Sequence, residues 1–78
     1  MKSEYVWKRT KVGEWLDAKF WDFETDEVFF VELQKQEGMT MDQFILECHK
    51  IAADNFEDPT FVKLYDKDTA DILGYDTY

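Results

Sequence analysis

The sequence predicts an α+β domain: a twisted antiparallel sheet of four to five strands, in the order β-β-β-α-β-β, with one helix packed on one face. Three observations carry that expectation. Most of the chain alternates apolar and polar residues at the two-residue period of strands. One segment, beginning at Thr40 and fading near Asn55, carries helical periodicity. The 78 residues also include 3 Trp, 4 Tyr and 7 Phe. A single helix covers one face of a small sheet, and this chain has large apolar side chains for both.

Residues 5–10 alternate, with Tyr5, Trp7 and Arg9 on one side and Val6 and Lys8 on the other, and read as a first strand. Lys11-Val12-Gly13-Glu14 is a turn in which Gly13 is free to take positive φ. Residues 15–22 form a second strand. A turn at Phe23-Glu24-Thr25-Asp26 leads into a third strand over 27–35, rich in β-branched and aromatic residues. Thr40-Met41-Asp42-Gln43 is a capping box, with Met39 and Phe44 at the staple positions. Met41, Phe44, Ile45, Cys48, Ile51 and Ala52 then make one apolar stripe, while Leu46 projects from the polar side. Asp42 sits in the first turn, where a negative charge is favoured. Asn55 tolerates the left-handed end position, and Pro59 prevents continuation. Residues 60–65 alternate again. Asp66-Lys67-Asp68-Thr69 reads as a turn, and 70–75 as a short closing strand.

The alternation assigns Val6, Leu16, Ala18, Phe20, Phe29, Val31, Leu33, Val62 and Leu64 to the helix side. It assigns Tyr5, Trp7, Trp15, Trp21, Val28, Phe30, Phe61 and Tyr65 to the far side. A second copy, a partner or a folded-back tail must cover that far side. A continuous exposed aromatic patch is unusual on a monomer, and Trp and Tyr are enriched at binding hot spots.

Length indicates a single domain over residues 1–78. No apolar run approaches the roughly 20 residues of a membrane span, and residues 1–3 do not open a secretory signal. One cysteine gives no intrachain disulfide, so a reducing, cytoplasmic setting is the default. The net charge is −9, unevenly spread. Residues 1–20 hold five basic and three acidic side chains, net +2, whereas residues 21–78 hold four and fifteen, net −11. That field repels a phosphate backbone and attracts basic protein surfaces, so direct nucleic-acid binding is not expected.

The usual chemistries find no home. Asp22, Glu24, Asp26 and Glu27 ring one turn and Asp66, Asp68 and Asp71 another, but acid/base work needs one carboxyl held in an apolar pocket. Asp66-x-Asp68 begins like a calcium loop. It then fails at Ala70, at Asp71 where glycine should stand, and at Thr77 in place of the bidentate carboxylate. Cys48 and His49 lie about 100° apart around a helix and cannot act as a pair. No zinc set and no glycine-rich phosphate loop is present. No enzyme activity, cofactor or metal is expected.

In size, acidity and absence of catalytic motifs the chain resembles the small phage-encoded inhibitors of bacterial defence systems, including anti-CRISPR proteins. Those inhibitors share no common motif, so the likeness transfers no residue. It implies a stoichiometric protein-binding inhibitor that often blocks a nucleic-acid site by mimicking its charge. The expectation is therefore a non-enzymatic acidic module that engages a basic, nucleic-acid-binding partner. Asp22, Glu24, Asp26, Glu27, Asp66, Asp68 and Asp71 supply the charge, and Trp7, Trp15 and Trp21 the anchors. The alternative is an assembly subunit that forms a homodimer through its aromatic sheet face.

Overall fold

A computed structural model describes residues 2–78. The elements are helix α1 (Ser3–Arg9), strands β1 (Trp15–Asp22) and β2 (Glu27–Gln34), helix α2 (Met41–Asn55), strand β3 (Pro59–Asp66) and helix α3 (Lys67–Leu73). The class is α+β, but the expected four to five strands and single helix are wrong. The described residues form three antiparallel strands in the order β2-β1-β3, with three helices.

Residues 5–10 are not a strand. Val6 and Thr10 are buried and Trp7 is half-buried, while Tyr5, Lys8 and Arg9 are exposed. That is the i, i+4 spacing of a helix, and six alternating residues cannot distinguish it from a strand. Charge agrees with the helix, since Glu4 lies in its first turn and Lys8 and Arg9 in its last. Its end is closed by side chains. The Thr10 hydroxyl donates to the Val6 carbonyl at 2.7 Å, and Lys35 Nζ donates to the carbonyls of Trp7 at 2.7 Å and Thr10 at 2.9 Å. The same ammonium lies 4.2 Å from the Trp7 ring centroid, a cation–π distance.

Residues 70–75 are not a strand either. Asp66 caps α3 by accepting from the Thr69 amide at 3.2 Å, and Gly74 ends the helix at φ 72°. An Asp before the first turn and a glycine just past the last are ordinary helix boundary signals.

The core lies between the sheet and α2, with α1 closing one side. Leu16, Ala18, Phe20, Phe29, Val31 and Leu64 meet Phe44, Cys48 and Ala52 of α2 and Val6 of α1. Trp7 packs on Phe44 with ring centroids 5.4 Å apart, so its indole belongs to this core and not to the far face. The Thr40–Gln43 capping box is formed in both directions. A bulge opposite Lys19/Phe20 exchanges two β3 residues. Phe61 pairs with Phe20 and turns toward α2, whereas Val62, expected inside, is exposed. One extra residue in a strand inverts the faces on one side of it.

The far face carries Trp15, Asp17, Lys19 and Trp21 from β1, Val28, Phe30 and Glu32 from β2, and Lys63 and Tyr65 from β3. Its middle is covered by α3 and the segment after it. Phe30 is buried beneath Tyr75 and Tyr65, with ring centroids 5.4 and 5.7 Å away. The tail then runs parallel to β2 and bonds its free edge. The Phe30 amide donates to the Asp76 carbonyl at 2.8 Å, the Tyr78 amide to the Phe30 carbonyl at 2.8 Å, and the Glu32 amide to the Tyr78 carbonyl at 3.1 Å. The opposite edge is blunted where the Leu64 amide donates to Ser3 Oγ at 3.0 Å. Both edges are thus partly closed to edge-to-edge pairing.

The orientation of α2 gives a direct test. Phe44→Ala empties a fully buried site and is expected to cost about 3–5 kcal/mol in urea unfolding. Leu46→Ala, on the exposed face, is expected to change stability by less than about 0.5 kcal/mol. Similar costs for the two substitutions would mean that α2 is rotated.

Candidate functional site

The expected site residues divide between the two ends of the sheet. The eight residues of β1 separate those ends by about 23 Å at the usual rise per residue. At one end lies the β1–β2 turn with Asp22, Glu24, Asp26, Glu27 and Trp21. At the other lie Trp15, Asp66, Asp68 and Asp71. Trp7 belongs to neither, being packed in the core.

At the α3 end most of the charge is already partnered. Asp66 accepts from Arg9 Nη2 at 2.9 Å as well as capping α3. Hydrogen bonding from Thr69 and the charge of Arg9 hold its carboxyl below the usual range, against the opposing effect of burial. Asp71 lies 3.6 Å from Lys67 Nζ, which also reaches Glu32 at 3.2 Å. Bonding to Glu32 and the charge of that carboxylate raise Lys67 above its ordinary value. Arg9, Thr10, Glu14, Trp15, Asp66, Lys67 and Asp68 line an open groove of about 530 Å³. Its two cations and its carboxylates are of mixed sign, and Asp68 makes no ion pair among the described residues.

The turn end is different. Asp22 is fully buried and cannot meet a partner, which corrects its assignment as a surface contact. It is the organiser of the turn. One carboxyl oxygen accepts from the Thr25 amide at 3.0 Å and hydroxyl at 2.9 Å, and the other from the Asp58 amide at 2.9 Å. Burial opposes its ionisation. The amides of Asp58 and Thr25 and the Thr25 hydroxyl outweigh that opposition and hold the carboxyl below its ordinary range. The Phe23 amide donates to the Asp58 carbonyl at 3.2 Å. Two acidic turns distant in sequence, 22–27 and 57–58, are thereby locked into one tip.

The tip presents Glu24, Asp26, Glu27, Glu57 and Asp58, all exposed. No ion pair neutralises any of them within the described residues. No lysine or arginine occurs in segments 20–34 or 51–62. Asp26 takes φ 58° and accepts from Trp21 Nε1 at 2.7 Å. Phe23, 62% exposed, stands edge-on to Trp21 at 5.6 Å. An exposed phenyl group is therefore fixed among five carboxylates by hydrogen bonds beneath it. Phe23 was not among the expected contacts. Its signal was an aromatic residue inside an acidic hairpin turn. Glu57 and Asp58 gave no sign in sequence of sharing that surface.

Cys48 is buried, and burial, then the nearby Asp17 and Glu47, push its thiol up to about 12. At neutral pH it is no nucleophile. His49 Nε2 lies 3.1 Å from the Pro59 carbonyl, with its ring against Phe20. Among the described residues no three His, Cys, Asp or Glu side chains form a metal-holding group. No described helix is long and apolar enough to cross a membrane. No family model, curated protein or solved structure matches the chain.

The organising role of Asp22 separates it from its neighbours. Asp22→Ala is expected to lower the melting temperature by roughly 10 °C, because Asp58 and Thr25 lose their acceptor in a buried setting. Glu24→Ala should move it by less than about 2 °C. The sign of the pH dependence follows from the depressed carboxyl. Its stabilisation is present above the unfolded value near 3.8 and is lost as pH falls below it. An acid-unfolding profile that is the same with and without Asp22 would contradict this role.

Proposed function

We propose that this protein is a non-enzymatic binding module that presents the acidic tip to a basic protein surface. The observation that carries the reading is the convergence of two separate acidic turns beside exposed Phe23, with no ion pair to neutralise them among the described residues. Basic surfaces are drawn to such a tip by long-range attraction, and the phenyl group supplies apolar contact once water is excluded. Because Asp22 holds the turns together, little conformational freedom is lost on binding. A partner whose basic cleft normally holds nucleic acid suits this chemistry. Occupation of that cleft would make the protein an inhibitor, in keeping with its likeness to small acidic phage-encoded inhibitors.

Self-association through the aromatic sheet face draws no support from the packing. The centre of that face lies beneath α3, Tyr75 and the tail.

Exposed members of the tip provide the test. Glu24→Lys, Glu27→Lys and Glu57→Lys are combined, leaving Asp22 and Asp26 in place. Wild-type protein immobilised on resin is expected to retain a basic protein from a bacterial host lysate at about 50 mM salt and release it near 500 mM. The triple variant should retain at least about tenfold less, with an unchanged melting temperature, and Phe23→Ala should weaken retention further. Equal retention by wild type and triple variant would overturn the reading.

A further inference from the structure

The far face of the sheet holds a group that the acidic tip does not use. Asp17 is the third residue of β1, 1% exposed, and its Oδ2 has no hydrogen-bond partner among the described residues. Glu32 of β2 and Tyr65 of β3 stand directly opposite it in register. From α3 above, Lys67 Nζ reaches Glu32 Oε2 at 3.2 Å and Asp71 Oδ1 at 3.6 Å. On β1 itself Trp15 precedes it on this face. Lys19 follows, its ammonium 5.3 Å from the Tyr75 ring centroid. Across the sheet, Cys48 of α2 is a neutral thiol. Asp17 and Glu32 beneath α3, and Asp71 on it, are therefore grouped around the Lys67 ammonium.

A buried carboxylate with an unmet oxygen is costly. Two arrangements relieve it. A proton on Asp17 removes the charge and gives the carboxyl a donor for Glu32. Alternatively α3 lifts and water reaches the carboxylate. The helix is lightly held, since Ala70 is its one buried residue and Ile72 is 84% exposed. It is also bounded for movement, by the Asp66–Arg9 pair before it and left-handed Gly74 after it.

We propose that α3 is a pH-sensitive cover, held closed over the sheet while Asp17 carries a proton and loosened when that proton leaves. The ionisation behaviour of the site agrees with its geometry. Burial, then the hydrogen bond and charge of Glu32, raise Asp17 to about 7, with Lys67 opposing. Once uncovered and hydrated, the carboxyl returns toward its ordinary 3.8. The closed form thus binds the extra proton. Its advantage is complete below about pH 4, falls as pH rises toward 7, and is constant above that. The cover is tightest in acid, opposite to the dependence on Asp22.

Amide hydrogen exchange on the full chain, with residue-level protection factors, reads the equilibrium. In wild type, the α3 amides and the Gly74 amide, bonded to the Ala70 carbonyl at 3.0 Å, are expected to lose protection as pH rises from about 5 to 7. The loss should approach about tenfold per pH unit and level off above that range. Asp17→Asn keeps a donor for Glu32 but cannot ionise, so its α3 protection should be flat. A carbon-13 titration of the Asp17 carboxyl in wild type provides a second reading that needs no variant, with an expected midpoint near 7. A midpoint below about 5, wild-type protection that is flat from pH 5 to 7, or an Asn variant with the wild-type slope would each overturn the proposal.

Discussion

The central strand β1 must be covered on both sides, and the rest of the chain is arranged around that requirement. Leu16, Ala18 and Phe20 face α2, whereas Asp17 and its neighbours face α3 and the tail. A three-stranded sheet of this size has no spare apolar surface to leave in water, and one helix shields only one layer. The covering of the second layer takes the last dozen residues. Lys67 ties to Glu32, Tyr75 covers Phe30, and Tyr78 closes on Phe29 and Phe56 from the other side of the β2 edge. The tail therefore grips the edge strand by its backbone and reaches both of its faces.

Where the pattern was long and clean, the elements could be read directly. Residues 15–22, 27–34 and 41–55 carry several repeats of one period, and the capping box fixes where α2 begins. The two terminal segments failed for a shared reason. Each is a seven-residue helix, and two helical turns can mimic strand alternation. The cues that decide such cases are present but carry more than one meaning. Asp66 and Gly74 bracket α3, yet Asp66-x-Asp68 fits a turn or a broken calcium loop equally well in sequence. Glu4 and Lys8-Arg9 mark the ends of α1, yet Lys8 and Arg9 also fit opposite faces of an alternating strand. The bulge that turns Phe61 inward and Val62 outward leaves no comparable mark in composition.

The acidic surface was legible in outline and misassigned in detail. Counting charge locates the acidic turns but cannot tell a structural carboxylate from a displayed one. Asp22 and Glu24 are both acids in one turn, yet the first is enclosed by three hydrogen bonds and the second faces water. The distinction depends on Asp58, a residue 36 positions away. Likewise Asp66 and Asp71 look like free charge until Arg9 and Lys67 are placed beside them. Tertiary pairing leaves the hairpin tip, which also displays Phe23, as an acidic end with no ion pair among the described residues. The aromatic surplus calls for cover on the second face, and of a second copy, a partner or a folded-back tail it is largely the tail that lies there.

The most direct test is a nuclear Overhauser spectrum of dilute, uniformly labelled protein mixed with an unlabelled copy, filtered to separate contacts within a chain from contacts between chains. Self-coverage predicts intrachain contacts between the rings of Tyr75 and Phe30 and between Tyr78 and both Phe29 and Phe56. If the Tyr75–Phe30 contact is absent, or appears only between chains, the second face of the sheet is not covered by the C-terminal segment of the same chain.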